Sequence, residues 1–205
     1  MMKRRFLLTS LAASAALLAA CKDSTPPGGA AGPATAPAPA AAAGSTPVTI
    51  EAIQAEGKGF SVGSEMAART VYVFFDAQCP HCAALWESAR PLKSQARFVW
   101  MPVGVLNEKS TLEGAAILAA PDPVAAMDQH EASMHAGTGG IAAGTGQDAQ
   151  KDAIKKNTEL MTKFGFGSVP TIVAKHATTG EVVTVEGALP TAALAAKLGL
   201  QAPAS

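Results

Sequence analysis

The sequence predicts an α/β sandwich, a sheet covered by helices. Two apolar runs rich in β-branched and aromatic residues, Thr70 to Phe75 (TVYVFF) and Arg97 to Val103 (RFVWMPV), lack polar alternation. Such runs suit strands covered on both faces. A helical segment separates them, and helical stretches precede a closing pair of strands. Strands and helices therefore alternate along the chain instead of segregating.

After the first strand, Asp76-Ala77-Gln78 turns the chain, and Cys79 opens a helix towards Arg90. Pro80 falls at an early helical position, where its missing N–H does no harm. Leu85, Trp86 and Ala89 share one side, and Pro91 ends or kinks the element. The strand Arg97 to Val103 follows. Helices are expected over Glu108 to Ala120 and Pro123 to Ser133, with Pro121 and Pro123 marking the join. Ala136 to Gly146 holds five glycines in eleven residues and reads as a mobile loop. A helix over Asp148 to Phe164 carries Ile154, Leu160, Met161 and Phe164 as its apolar residues and stops at Gly165. Thr171 to Ala174 and Val182 to Val185 read as strands joined across Thr178-Thr179-Gly180, and a helix from Thr191 to Leu198 closes the domain. This is a thioredoxin-like order with a helical insertion.

The chain has 205 residues, 16 basic and 16 acidic. A net charge of zero offers no basic surplus for phosphate neutralisation, so nucleic acid is not an expected partner. Lys3, Arg4, Arg5 and Lys22 lie ahead of residue 48 with only Asp23 to oppose them, which leaves 12 basic and 15 acidic residues beyond. Met1 to Arg5 is a positive head, and Phe6 to Ala20 is an apolar run ending in small residues. That is the layout of a signal peptide, and about 22 Å of helix is short for a membrane span. Leu18-Ala19-Ala20-Cys21 resembles the lipobox of bacterial lipoproteins, which implies a signal peptide over 1–20 and acylation of Cys21 as the mature N-terminus. From Lys22 to Pro47, 19 of 26 residues are Ala, Pro or Gly, with no aromatic. Residues 21–47 are therefore expected to form a lipidated, disordered tether reaching about 80 Å at most, and 48–205 the folded catalytic domain.

Within that domain the cysteines reduce to one pair, Cys79-Pro80-His81-Cys82. Two thiols three positions apart at a helix start can close a disulfide within one turn. The first meets unpaired backbone N–H groups and the positive end of the helix dipole, which lowers its pKa. A thiolate is the attacking species in disulfide exchange, and its stabilisation makes the disulfide more oxidising. His81 adds a donor or a positive charge beside the same sulfur. A structural bridge and a zinc half-site are the other readings of the pair. Zinc wants four ligands, however, and His130, His135 and His176 have no recognisable spacing to the motif, so no metal is expected. Met127, His130, Met134 and His135 crowd one stretch, a pattern more often core packing than a copper site. Asp76 is placed either to relay protons to Cys82 or to cap the turn, and the sequence leaves both open. Lys155 and Lys156 read as a solvated helix face.

The run VYVFFDAQCPHC, followed by Trp86 and Ala89-Arg90-Pro91, resembles the catalytic domain of the periplasmic thiol:disulfide interchange proteins of the DsbC/DsbG family. Val103-Gly104-Val105, Ala115 to Ala119, Asp122-Pro123, Glu131-Ala132-Ser133, Asn157 and Leu160-Met161 continue the resemblance, which spans about Thr70 to Leu198. It implies that Val169-Pro170 is a loop whose proline is cis and faces the cysteines. Two departures stand out. Residues 22 to 47 are low in complexity and 48 to 69 are too few to supply the family's N-terminal dimerisation domain, so a monomer is expected. His81 between the cysteines and Val169 before the proline are similar to DsbA rather than to DsbG.

Together these readings point to a lipid-anchored periplasmic thiol:disulfide oxidoreductase that needs no cofactor. Cys79 is the exposed nucleophile, Cys82 resolves the mixed disulfide, and Pro80, His81, Asp76, Val169 and Pro170 support them. Its expected partners are exported proteins with cysteines and a membrane redox partner that recycles the pair. Oxidation is favoured over isomerisation or rescue of sulfenylated cysteines. The reading from another class is a redox-inactive, thioredoxin-like binding lipoprotein for a metal or a client protein.

Overall fold

A computed structural model of the chain describes residues 46–203. The expected signal peptide, the lipidated Cys21 and the tether up to residue 45 lie outside the described residues.

Five strands form one mixed sheet in the order β1-β3-β2-β4-β5. These are β1 Phe60–Val62, β2 Thr70–Phe75, β3 Arg97–Pro102, β4 Thr171–Lys175 and β5 Val182–Glu186. β2 runs parallel to β3 and antiparallel to β4, while β1 and β5 pair antiparallel at the two edges. The central position of β2 explains its unbroken apolar sequence, since Val71 to Phe75 are all buried. Alternation then divides the core. Val71, Val73 and Phe75 join Phe98, Trp100, Ile172 and Ala174 on one face. Tyr72 and Phe74 join Met101 and Val173 on the other.

Six helices cover these faces: α1 Ile50–Glu56, α2 Pro80–Ala89, α3 Glu108–Ala119, α4 Pro123–His135, α5 Asp148–Lys163 and α6 Thr191–Leu198. α2 lays Cys82, Leu85, Trp86 and Ala89 on the first face, beside Leu194, Ala195 and Leu198 of α6. α1 and α5 cover the second face with Ile50, Ile53, Leu160, Met161 and Phe164. Trp86 and Trp100 meet edge to face with centroids 4.9 Å apart, a favourable arrangement of ring quadrupoles.

The expected elements reappear within one or two residues, with α4 extending to His135. At Pro91 α2 gives way to a single 3-10 turn, Arg90–Leu92. Gly165 adopts φ +74° after α5, the left-handed conformation that ends a helix most readily at glycine. Sequence reasoning left α1 and β1 unassigned. Their signals are short: Thr49 caps α1 by accepting from the Ala52 amide, and only Ile50 and Ile53 mark a buried face. β1 has three residues and is held as a strand by pairing with β3, a contact no local pattern announces. The glycine-rich segment before α5 is tied down in part, because the Ile141 amide donates to His130 Nδ1 at 3.2 Å.

Candidate active site

Cys79 is the N-cap residue of α2, and Pro80 occupies its first turn. The Cys82 and Ala83 amides donate to the Cys79 carbonyl at 2.9 and 3.3 Å, closing the turn that brings the two side chains together. Both thiols are reduced. Cys82 is fully buried, and Cys79 is only 7% exposed. The expectation of an exposed Cys79 is thereby corrected: the sulfur sits in a recess, walled by the loop before β4 and by α4, and is the more reachable of two buried thiols.

The two thiols are driven in opposite directions. Cys79 is lowered to about 6, first by a hydrogen bond from the Cys82 thiol, then by the backbone amides of Cys82 and His81 and by the nearby charge of His81, against the opposing effect of burial. Cys82 is pushed far up, chiefly by burial and further by the same bond to Cys79. Helix-end amides and His81 were foreseen from the sequence. The larger contribution, the second cysteine acting as donor to the first, was not.

The Val169–Pro170 peptide bond is cis. The Val169 carbonyl lies 3.5 Å from Cys79 Sγ and accepts from the thiol form. Pro80 and His81, which follow Cys79 in the first turn of α2, are exposed. Residues remote in sequence thus converge on Cys79 as the family resemblance implied.

Asp76 is fully buried. Its Oδ1 accepts from the Gln78 amide at 2.9 Å, and its Oδ2 accepts from the Val105 and Leu106 amides at 2.9 and 3.0 Å. Between relaying protons and capping the turn, this geometry matches the cap, since both oxygens are occupied by backbone donors. Asp76 touches the cysteine pair through its own amide, which donates to Cys82 Sγ at 3.4 Å.

Three further residues surround the turn. His130 is buried, with Nε2 2.7 Å from the Ala77 carbonyl while Nδ1 accepts from Ile141. The proton therefore sits on Nε2, and neither ring nitrogen is free for a metal. Gln78 donates to the buried carboxylate of Glu113. Glu131 lines a pocket of about 350 Å³ together with Cys79, Pro80, Ala83, Met134 and His135. Its carboxyl is raised to about 7 by burial first and then by the charges of Glu87 and Cys79. Glu131 lies among the residues that carry the family resemblance, and nothing in its sequence context assigns it a role. A charged residue on a helix with no apolar partner pattern carries no local sign of burial. Met127 is core, as its spacing suggested, whereas Met134 stands beside Cys79. Among the described residues no group of three or more His, Cys, Asp or Glu is placed to hold a metal ion.

A family model described as a thioredoxin-like domain matches residues 61–202, well over half of the chain. The chain belongs to the thioredoxin-like family. Within that family it is similar to the thiol:disulfide interchange protein DsbG of Pseudomonas aeruginosa, at 37% identity over 114 residues, 54% of this chain and 43% of that protein. It is also similar to DsbG of Escherichia coli K12, at 33% identity over 112 residues, 54% and 45% of the two chains. Less than half of either curated relative is spanned. Among solved structures, the thioredoxin-like fold is shared with the catalytic domain of Proteus mirabilis ScsC, with a TM-score of 0.56 at 19% identity over 73% of this chain and 96% of that one. A periplasmic thioredoxin-like protein from Salmonella enterica serovar Typhimurium gives 0.57 at 17% identity over 75% and 97%. At these identities the likeness establishes the fold, and the expected thioredoxin-like α/β class with its helical insertion stands.

Proposed function

We propose that this chain is a thiol:disulfide oxidoreductase of the bacterial periplasm, anchored by lipid at Cys21 and acting on cysteines of exported proteins. The observation that carries this reading is the opposite displacement of the two thiols, Cys79 to about 6 and Cys82 upward. A nucleophile ionised at neutral pH beside a resolving thiol held protonated is the asymmetry that disulfide exchange uses.

In the oxidising direction a client thiolate attacks Cys79 Sγ of the closed disulfide. The Cys79–Cys82 bond breaks, and Cys82 leaves and takes up a proton. A second client thiolate then attacks the client sulfur of the mixed disulfide, forming the client's disulfide and releasing Cys79 as a thiolate. A membrane redox partner accepts the two electrons and restores the pair. The client strand lies along the loop of Val169 and Pro170. Stabilising the Cys79 thiolate stabilises the reduced protein, and so makes the couple a stronger oxidant.

The protein acts as a monomer in this reading. α1 and β1 are built into the domain's own layers, α1 packing with α5 and β1 pairing with β3. An isomerase must hold a misfolded client while probing wrong disulfides, so oxidation is favoured.

The reduction potential of the Cys79/Cys82 couple tests the proposal. The expected value lies well above the roughly −270 mV of thioredoxin, with rapid oxidation of a reduced model protein and poor unscrambling of a misbridged one. A potential near thioredoxin's, or a stable dimer that unscrambles well, would establish a reductase or an isomerase instead. Thiols inert to oxidant would leave the binding-lipoprotein reading. Mass spectrometry of protein from its host should find diacylglyceryl at Cys21, and an intact chain with unmodified Cys21 would remove the anchor.

A further inference from the structure

Glu131 is 6% exposed, and among the described residues only burial and like charges, with no hydrogen bond or cation, act on its carboxyl. A carboxylate largely withdrawn from water without a protein partner is costly. The pocket it lines opens directly beside Cys79. Pro80, Ala83 and Met134 give that pocket apolar walls, and Glu131 supplies its buried acid.

The surrounding charges leave that acid uncompensated. Glu87 and the Cys79 thiolate both act on it as like charges. Arg90, the cation beside Glu87, is engaged with Glu87 at 3.1 Å and with Asp128 at 3.2 Å. Glu113, also buried, takes its hydrogen bond from Gln78, which lines the same pocket. His135 stands exposed at the rim.

We propose that this pocket receives a lysine or arginine side chain next to the client's reacting cysteine, with Glu131 as its counter-charge. An aliphatic stem ending in a cation matches apolar walls around a single acid, because long basic side chains pack their methylenes and project their charge. A neutral apolar residue would fit the walls and leave the acid unpaired. An acidic residue would be repelled. The proposal rests on the exchange reaction above and names the class of client it prefers.

Short peptides with one cysteine test it, with Lys, Leu or Glu placed before or after that cysteine and otherwise identical. The full chain in its disulfide form is given two peptides in competition, and the mixed disulfides at Cys79 are quantified by mass spectrometry. Each attack forms one peptide–Cys79 bond and breaks the Cys79–Cys82 bond, so with acid quenching before the freed Cys82 attacks back, the product ratio is the ratio of attack rates. The Lys peptide is expected to outcompete the Leu peptide roughly tenfold, and the Glu peptide by more, a tenfold ratio being about 1.4 kcal/mol. Glu131→Gln should bring the Lys-to-Leu ratio close to one, and Glu131→Lys should favour the Glu peptide. A ratio is insensitive to general damage, which slows all peptides alike. Equal capture of all peptides by the wild type, or a Lys preference that survives Glu131→Gln, would overturn the proposal. In the first case Glu131 is an inert protonated acid. Absence of mixed disulfide with every peptide would instead overturn the exchange reaction itself.

Discussion

The backbone amide of Asp76 donates to the sulfur of Cys82 at 3.4 Å, while the carboxylate of the same residue gathers three amides from two loops. Asp76 thereby joins the turn before α2 to the start of the insertion. Asp76→Ala should leave three backbone donors without their acceptor. At about 1–3 kcal/mol for each buried group left unpaired, a loss of 3 kcal/mol or more is expected in urea denaturation. Asp76→Asn keeps one acceptor oxygen and turns an NH₂ towards amides, so it should fall between wild type and Ala. If Asn equals wild type in stability and slows only the release of mixed disulfide, the residue relays protons and does not cap the turn.

The largest contribution to stabilising the Cys79 thiolate comes from the Cys82 thiol. Thiolate absorbance of the reduced protein should titrate near 6, and Cys82→Ala should move it up towards the ordinary thiol range. Cys82→Ser retains a hydroxyl donor and should move it less, while trapping mixed disulfides with clients that Cys79→Ser does not trap. The lowered group stabilises the reduced fold above the ordinary thiol pKa, and that stabilisation is lost as pH falls through about 6. Reduced protein should accordingly gain stability relative to a Cys79→Ser variant between about pH 6 and 9.

Glu131 works in the opposite sense. Its folded value of about 7 lies above that of an unfolded carboxyl, so the fold holds the proton more tightly than the unfolded chain does. Its contribution is complete below the unfolded value and disappears as pH rises through 7. Glu131→Gln should match wild type in melting temperature near pH 4 and become progressively more stable than wild type up to about pH 7, with a constant gain beyond. A gain that is the same at every pH would show that the carboxyl does not titrate in this window.

Buried Trp86 donates from Nε1 to Asp128 Oδ1 at 2.9 Å, latching α2 to α4. Asp128→Ala leaves the indole N–H without a partner and should cost about 1–3 kcal/mol. Asp128→Asn preserves an acceptor and loses only the ion pair with half-exposed Arg90, a contact of the kind that contributes about 1 kcal/mol or less. The two variants separate the buried bond from the surface pair in a single denaturation experiment.

The sequence alone determined the order of the main elements, the central strand and the pairing of Cys79 with Cys82 at a helix start. Each is a local signal. A run of β-branched and aromatic residues without polar alternation suits a strand covered on both sides, a proline one position past Cys79 suits a helix start, and two cysteines three apart need no tertiary information to meet. The resemblance to a known family extended this to Val169 and Pro170, which composition and spacing do not connect with Cys79 ninety residues earlier. Tertiary structure decided the rest. β1 exists because β3 offers it an edge, and α1 because α5 and β4 complete its core. Asp76 became a cap because Val105 and Leu106 returned to it across the end of the sheet. Glu131 and Met134 reached Cys79 because α4 folds over α2 and is held there by Trp86 and His130. Side-chain chemistry is written in the sequence, but burial and the partners that shift a pKa are properties of contacts between distant segments, and those exist only once the chain is packed.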